Sequence, residues 1–152
     1  MVKIKKSFKT GVSFGMVSGV LTTLGLLIGL GVSTQSKAAV MGGILTIAIA
    51  DALSDAFGVH LSQEASGDNS EKHIWEATIS TFLSKFLFAF TFLIPVYLLD
   101  ISSAIVISSL WGLFLIAFLS VLISSGLSKK ERVEVVIEHL VLFLIVVSSS
   151  YF

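Results

Sequence analysis

Long apolar stretches, separated by short polar or charged connections, run along almost the whole chain. A helix needs about 20 mostly apolar residues to cross the hydrocarbon core of a bilayer. The windows that meet this requirement are residues 10–32, 39–61, 77–99, 103–125 and 134–152. A polar connector, residues 62–76, joins the second window to the third. The pattern predicts an all-α integral membrane protein with five transmembrane helices in a single domain, residues 1–152.

The composition agrees with a protein that lies in a membrane. Hydrophobic residues make up 55% of the chain and charged residues 13%, with a mean hydropathy of +0.98; a soluble domain carries about 25% charged residues. The formal net charge is zero, so no basic surface indicates a nucleic-acid partner. The absence of cysteine excludes disulfides, thiolate metal ligands and cysteine nucleophiles. The basic start MVKIKKSFK precedes an apolar run too long for a signal peptide, which predicts a retained first span.

Lysine and arginine collect on one side of the membrane if five helices alternate in direction. Only Lys37 falls on the opposite side, and Lys85, inside the third window, is expected to extend its ammonium towards the charged side. The residues on the charged side are Lys3, Lys5, Lys6, Lys9, Lys72, Lys129, Lys130 and Arg132. Such residues mark the cytoplasmic side, which predicts a cytoplasmic N-terminus and an external C-terminus. We expect the plasma membrane of a prokaryote, or a vacuole-type membrane in a eukaryote.

Two carboxylates, Asp51 and Asp55, interrupt the second apolar window. An Asp near the centre of a membrane helix opposes insertion by roughly 2.5–3.5 kcal/mol, whereas each apolar residue returns only about 0.3–0.6 kcal/mol. The two acids lie about 40° apart around the helix and share a small, polar face with Gly58 and Ser62. Oxygen ligands of this kind suit a divalent cation. The pair is the main candidate for a metal site; alternatively, both acids bond to neighbouring helices and meet no ion.

Further polar residues extend the candidate site. His60 and Glu64 lie one turn apart on the opposite side of the same helix, either as a metal-ligand pair in a vestibule or as solvated groups. The predicted metal ligands are Asp51, Asp55, Glu64 and Glu138, and the predicted path-lining residues are Ser18, Thr22, Ser54, His60 and Ser62. For the hydroxyls of Ser18 and Thr22, a hydrogen bond to the preceding helical turn is an equally good interpretation.

Glycines recur at four-residue intervals in the first window. They are Gly11, Gly15 and Gly19, followed by Gly25 and Gly29. Small residues at this spacing let helix backbones approach closely in lipid. They predict close packing either within the chain or between two copies of it. Because five short helices make only a thin pore, we expect a homodimer with a path near its two-fold axis.

The segments FGMVSGVLTTLGLLIGL, residues 14–30, and ADALSDAFGVHLSQEAS, residues 50–66, resemble the vacuolar iron transporter family. The five windows, the cytoplasmic N-terminus and Pro95 near the end of the third window agree with this resemblance. It implies a divergent, short member that lacks the family's long cytoplasmic metal-binding insert. Three positions depart from the family pattern, which has an acid at Ser18, a methionine at Asp55 and a glutamate at Val59.

The resemblance implies a homodimer that moves Fe²⁺ or Mn²⁺ out of the cytoplasm in exchange for protons. The path would run between the first two spans of both protomers, beside the dimer axis. The metal would be the substrate, and no resident cofactor is expected. The alternative is a non-transporting membrane subunit whose buried acids serve helix packing or assembly with a partner. The sequence has no HExxH motif, no Ser–His pair within one span and no cofactor fingerprint, so no enzymatic activity is expected.

Overall fold

A computed structural model of the chain describes residues 6–67 and 70–151, and these residues are almost entirely helical. The helices are α1 (Lys6–Thr34), α2 (Lys37–Thr46), α3 (Ala52–Ala65), α4 (Glu71–Thr91), α5 (Leu93–Leu98), α6 (Ile101–Ile123) and α7 (Lys129–Ser149). A π-helical turn, Ile47–Asp51, joins α2 to α3, and a 3₁₀ turn, Ser124–Gly126, follows α6. Lys3, Lys5 and Phe152, which enter the predictions above, lie outside the described residues.

Four helical segments are long and apolar enough to cross a membrane. They are Lys6–Thr34, Lys37–Ala65, Glu71–Leu98 and Ile101–Gly126. Each coincides with one of the first four predicted windows to within a few residues. The fifth window corresponds to α7, which is not among the four because Arg132, Glu134 and Glu138 lie within its 21 residues. The all-α class is confirmed and an integral membrane protein is compatible with it, while the fifth span stays a prediction.

The second apolar segment changes its hydrogen-bonding pattern just before the acidic pair. Between Ile47 and Asp51 the backbone follows the π-helical pattern, and the Ala52 N–H group donates to the Ile47 carbonyl oxygen. A π turn inserts one extra residue into an α-helix and is frequent at functional sites. Here the extra residue rotates the side chains of α2 around the helix axis relative to those of α3.

The first half of α1 packs closely against α4 through its glycines. At Gly11 and Gly15, an added Cβ atom would overlap a carbonyl oxygen of α4. At Gly19 it would lie 3.0 Å from the Lys85 carbonyl oxygen. A side chain at any of these positions would push the two backbones apart. The three glycines therefore set the spacing of α1 and α4 within the chain.

Gly25 and Gly29, the second pair of regularly spaced glycines in α1, face the end of α7. An added Cβ atom would lie 3.2 Å from Ser150 Oγ at Gly25 and 3.7 Å from the Ser150 carbonyl oxygen at Gly29. All five glycines thus contact helices of their own chain. A homodimer would use other surfaces.

Apolar side chains form both the core and the outer surface. Val20, Leu24 and Ile28 of α1 are fully buried in a core that also receives residues of α2, α5 and α6. On the outside, Phe57 is 63% exposed and Ile94 is 60% exposed. Helices that are apolar on all sides are typical of a membrane environment, where lipid covers the outer faces.

Asp100 begins the last of the four apolar segments as the N-cap of α6. Its Oδ2 atom accepts a hydrogen bond from the Ser103 N–H group at 2.9 Å. This bond, together with the nearby Lys37 ammonium, holds the pKa of Asp100 below its usual value. The carboxylate form is favoured because its charge satisfies a backbone donor that the helix leaves unpaired.

Candidate functional site

The carboxylates of Asp51 and Asp55 converge on the ammonium of Lys85, which α4 brings between them. Lys85 Nζ lies 2.5 Å from Asp51 Oδ2 and 2.6 Å from Asp55 Oδ2. The Lys85 side chain is completely buried, whereas Asp51 and Asp55 remain 39% and 22% exposed. The helix face that carries both acids therefore faces α4, and the side chain next to it is that of Lys85.

Ser18 of α1 completes this group of polar side chains. Lys85 Nζ donates to Ser18 Oγ at 3.0 Å, and Ser18 Oγ donates to Asp55 Oδ2 at 2.6 Å. An ammonium has three N–H donors, and here it has three oxygen partners from two other helical segments. We call Ser18, Asp51, Asp55 and Lys85 the charge cluster.

The expectation that Lys85 extends to the membrane surface is wrong. Its side chain is 0% exposed and points to the two acids instead. In an apolar medium, a charged group gains far more from an opposite charge nearby than it does in water. The sequence did contain an indication of this pairing. Lys85 lies in the third apolar window and the two acids lie in the second, and charged residues within membrane spans tend to pair with one another.

The charge cluster has more acid than base. With all three groups ionised, two carboxylates and one ammonium leave one net negative charge. Coulombic interactions are strong at these distances when water is scarce. In that state, a further cation, either a proton or a metal ion, on the exposed side of the carboxylates would balance the charge.

A cleft of about 360 Å³ opens between α1 and α3 beside the charge cluster. Its lining residues are Thr10, Phe14, Ser54, Asp55, Gly58, Val59, Ser62 and Gln63. Asp55 belongs to both the cleft and the cluster, so it connects the open groove to the buried ammonium. Among the predicted path-lining residues, Ser54 and Ser62 lie on this wall, and Ser18 lies behind it through its bond to Asp55. Thr22 instead donates to the Ser18 carbonyl oxygen at 2.7 Å and is exposed.

His60 and Glu64 form a separate group further along α3, beyond Asp55. His60 Nδ1 lies 3.0 Å from Thr78 Oγ1 of α4, and its Nε2 atom lies 3.5 Å from Glu64 Oε1. The ring also packs edge-on against Trp75, with 4.8 Å between the ring centroids. These contacts hold α3 against α4.

Glu138 lies apart from the other predicted ligands. It is exposed on α7, and α7 packs against α6 and α1. The next residue, His139, faces inwards and its Nδ1 atom lies 2.8 Å from Ser120 Oγ. Within residues 6–67 and 70–151, no three His, Asp or Glu side chains form a group that could hold a metal ion. A cation at Asp51 and Asp55 would take its remaining ligands from Ser18, from water or from a second copy of the chain.

No protein-family model, curated protein or solved structure matches this chain. Membership of the vacuolar iron transporter family therefore stays a prediction that rests on residues 14–30 and 50–66.

Proposed function

We propose that the chain is a membrane transporter that moves Fe²⁺ or Mn²⁺ out of the cytoplasm in exchange for protons. The observation that supports this most directly is the position of Asp55. Its carboxylate borders the open cleft between α1 and α3 and also contacts the buried charge cluster. A hydrated cation in the cleft would thus meet a carboxylate from a group that carries excess negative charge.

The donor atoms of the cluster suit such a cargo. Carboxylate and hydroxyl oxygens are hard ligands that bind divalent cations while leaving several waters in place. Asp51 and Asp55 are 39% and 22% exposed, so each has a side that Lys85 does not cover. The departure from the family pattern at Asp55 adds a carboxylate where the resemblance implies a soft thioether, and carboxylate oxygens suit Mn²⁺ better than softer metals.

The proposal includes a fifth span and a homodimer. α7 exposes Val133, Ile137 and Val141 along one side, and these apolar side chains would face lipid or a second copy. With five spans, the distribution of lysine and arginine puts the N-terminus in the cytoplasm and the C-terminus outside. The path would then run along the cleft between the first two spans, near the dimer axis.

Proteoliposomes loaded with a metal-sensitive dye test the proposal. Wild-type protein should let Mn²⁺ and Fe²⁺ enter the lumen, and the lumen should alkalinise in step because protons leave in exchange for the metal. Asp51→Asn and Asp55→Asn should each lower the flux at least about tenfold, since ligand and near-ligand changes commonly weaken metal sites by 10–100-fold. Glu134→Gln is the matched control, because Glu134 is an exposed acid on α7 that pairs only loosely with Lys130. Absence of metal-dependent flux in the wild type would refute the proposal.

A second candidate function is a non-transporting membrane subunit. It is favoured by the observation that Lys85 already contacts both acids and that Ser18 bonds to the same group. A buried ion pair of this kind can hold α3 against α4 with no ion present. For this function, Asp51→Asn and Asp55→Asn should change folding or assembly while wild-type protein binds no Mn²⁺ in equilibrium dialysis.

A further inference from the structure

We infer that Lys85 is a tethered competitor of the transported cation, which occupies the binding position of that cation and sets its affinity. The inference rests on the proposed function, because it names the residue that regulates the same site. It explains why a chain with an unusual pair of intramembrane acids also carries a completely buried lysine.

The geometry of the ammonium is that of a bound cation. Three oxygens, from Asp51, Asp55 and Ser18, surround Lys85 Nζ at 2.5, 2.6 and 3.0 Å. A divalent cation that bridges both carboxylates needs the same oxygens at about 2.0–2.6 Å. The metal and the ammonium would then share one small volume and repel each other. Binding of the metal across both acids therefore requires the ammonium to move away.

The local packing fixes the backbone of Lys85 and the base of its side chain, so a withdrawal of the ammonium has to come from the outer part of the stem. Gly19 packs directly against the lysine stem, since an added Cβ atom would lie 3.3 Å from Lys85 Cγ. The same atom would lie 3.1 Å from Lys85 Cα, so α1 holds the backbone of α4 firmly at this level. The four-carbon stem of lysine is flexible. Withdrawal of the ammonium would therefore use torsional rotation along the outer stem, with both helices staying in place.

A purely structural role for Lys85 makes a different prediction. If the ammonium only joins α3 to α4, removing it should weaken folding and leave metal affinity unchanged or lower. If it competes with the cation, removing it should strengthen metal binding, and the bound metal should then restore the stability that the ammonium supplied. Metal affinity is therefore the readout that separates the two roles.

The test compares Lys85→Met with wild type in Mn²⁺ titrations of purified, detergent-solubilised protein, followed by calorimetry and by the thermal unfolding midpoint. Methionine keeps an unbranched stem and removes the charge. We expect Lys85→Met to bind Mn²⁺ at least about tenfold more tightly, and Mn²⁺ to raise its unfolding midpoint more than that of the wild type. Lys130→Met is the control, because Lys130 is an exposed lysine on α7, and its affinity should equal the wild-type value.

A second pair of variants covers the case in which Lys85→Met does not fold. Asp55→Asn and the double variant Asp55→Asn/Lys85→Met avoid two unpaired carboxylates, and the double variant should again bind Mn²⁺ at least about tenfold more tightly than Asp55→Asn. The inference is overturned if, in whichever of these two comparisons uses folded proteins, the variant without Lys85 binds Mn²⁺ with equal or lower affinity. If wild-type flux is absent but removal of Lys85 strengthens Mn²⁺ binding, the transport proposal fails, while Lys85 still competes with a bound cation at this site. If wild-type flux is present and affinity does not rise, only the inference fails.

Discussion

Replacing Gly15 by alanine tests whether the glycines of α1 set its distance from α4. The added Cβ atom would overlap the Thr81 carbonyl oxygen and would lie 3.0 Å from Ser84 Cβ and 3.1 Å from Lys85 N. Carbon atoms pack best at separations of about 3.5–4.0 Å. Two of these three neighbours are backbone atoms, which cannot rotate away as the end of a flexible side chain would. The two helices must therefore separate.

The expected size of the effect follows from two opposing contributions. Overpacking of a close contact destabilises a folded protein by about 1–3 kcal/mol, whereas alanine favours a helix over glycine by about 0.8–1.0 kcal/mol. Gly42→Ala is the matched control, because Gly42 lies inside α2 and an added Cβ atom there meets nothing within 4 Å. The helix-propensity gain cancels between the two variants. The free energy of unfolding of Gly15→Ala should thus lie about 1–3 kcal/mol below that of Gly42→Ala.

The free energy of unfolding is measured by equilibrium unfolding in mixed micelles of dodecyl maltoside and SDS, followed by tryptophan fluorescence. Light scattering of the folded variants reports their oligomeric state. Equal free energies for Gly15→Ala and Gly42→Ala would refute the close approach of α1 and α4. A change of oligomeric state in Gly15→Ala, with its free energy of unfolding equal to that of Gly42→Ala, would instead assign this glycine to an interface between copies of the chain.

Two further predictions concern single hydrogen bonds. Ser18→Ala removes the hydrogen bond to Asp55 and should lower the free energy of unfolding by about 1–3 kcal/mol in the same mixed-micelle assay. Ser33→Ala is the control and should be near neutral, because the Ser33 hydroxyl bonds to carbonyl oxygens of its own helix. Equal effects of the two substitutions would show that the bond from Ser18 to Asp55 does not stabilise the fold. Since the pKa of Asp100 is held below its usual 3.8, its carboxylate stabilises the fold fully above that pH and progressively less as the pH falls through the lowered pKa. Asp100→Asn keeps a helix cap that does not titrate, so the difference in free energy of unfolding between wild type and this variant should shrink only in acid. A difference that stays constant with pH would refute the stabilising role of the Asp100 carboxylate.

Sequence alone determined the helices and their apolar character. Hydrophobic runs of membrane-spanning length are a local property of the chain, so residues 10–32 and 39–61 fall within the segments Lys6–Thr34 and Lys37–Ala65. The one-turn spacing of Asp51 and Asp55 likewise predicted a shared face, and both acids contact the same ammonium. The π turn before Asp51 was not predicted, because no local residue pattern distinguishes it from an α-helix.

Only the tertiary structure decided which groups meet. Ser18 and Lys85 lie 37 and 30 residues from Asp55, and their contacts with it depend on the depth and rotation at which three helical segments pack. The spacing of residues along a helix shows which of them share a face, but it does not show which other helix packs against that face. For the same reason, the spacing of Gly11, Gly15 and Gly19 predicted a close neighbour, whereas only the packing identified that neighbour as α4. The physical cause is that helix formation depends on nearby residues, while the pairing of buried charges and small residues depends on residues far apart in the chain.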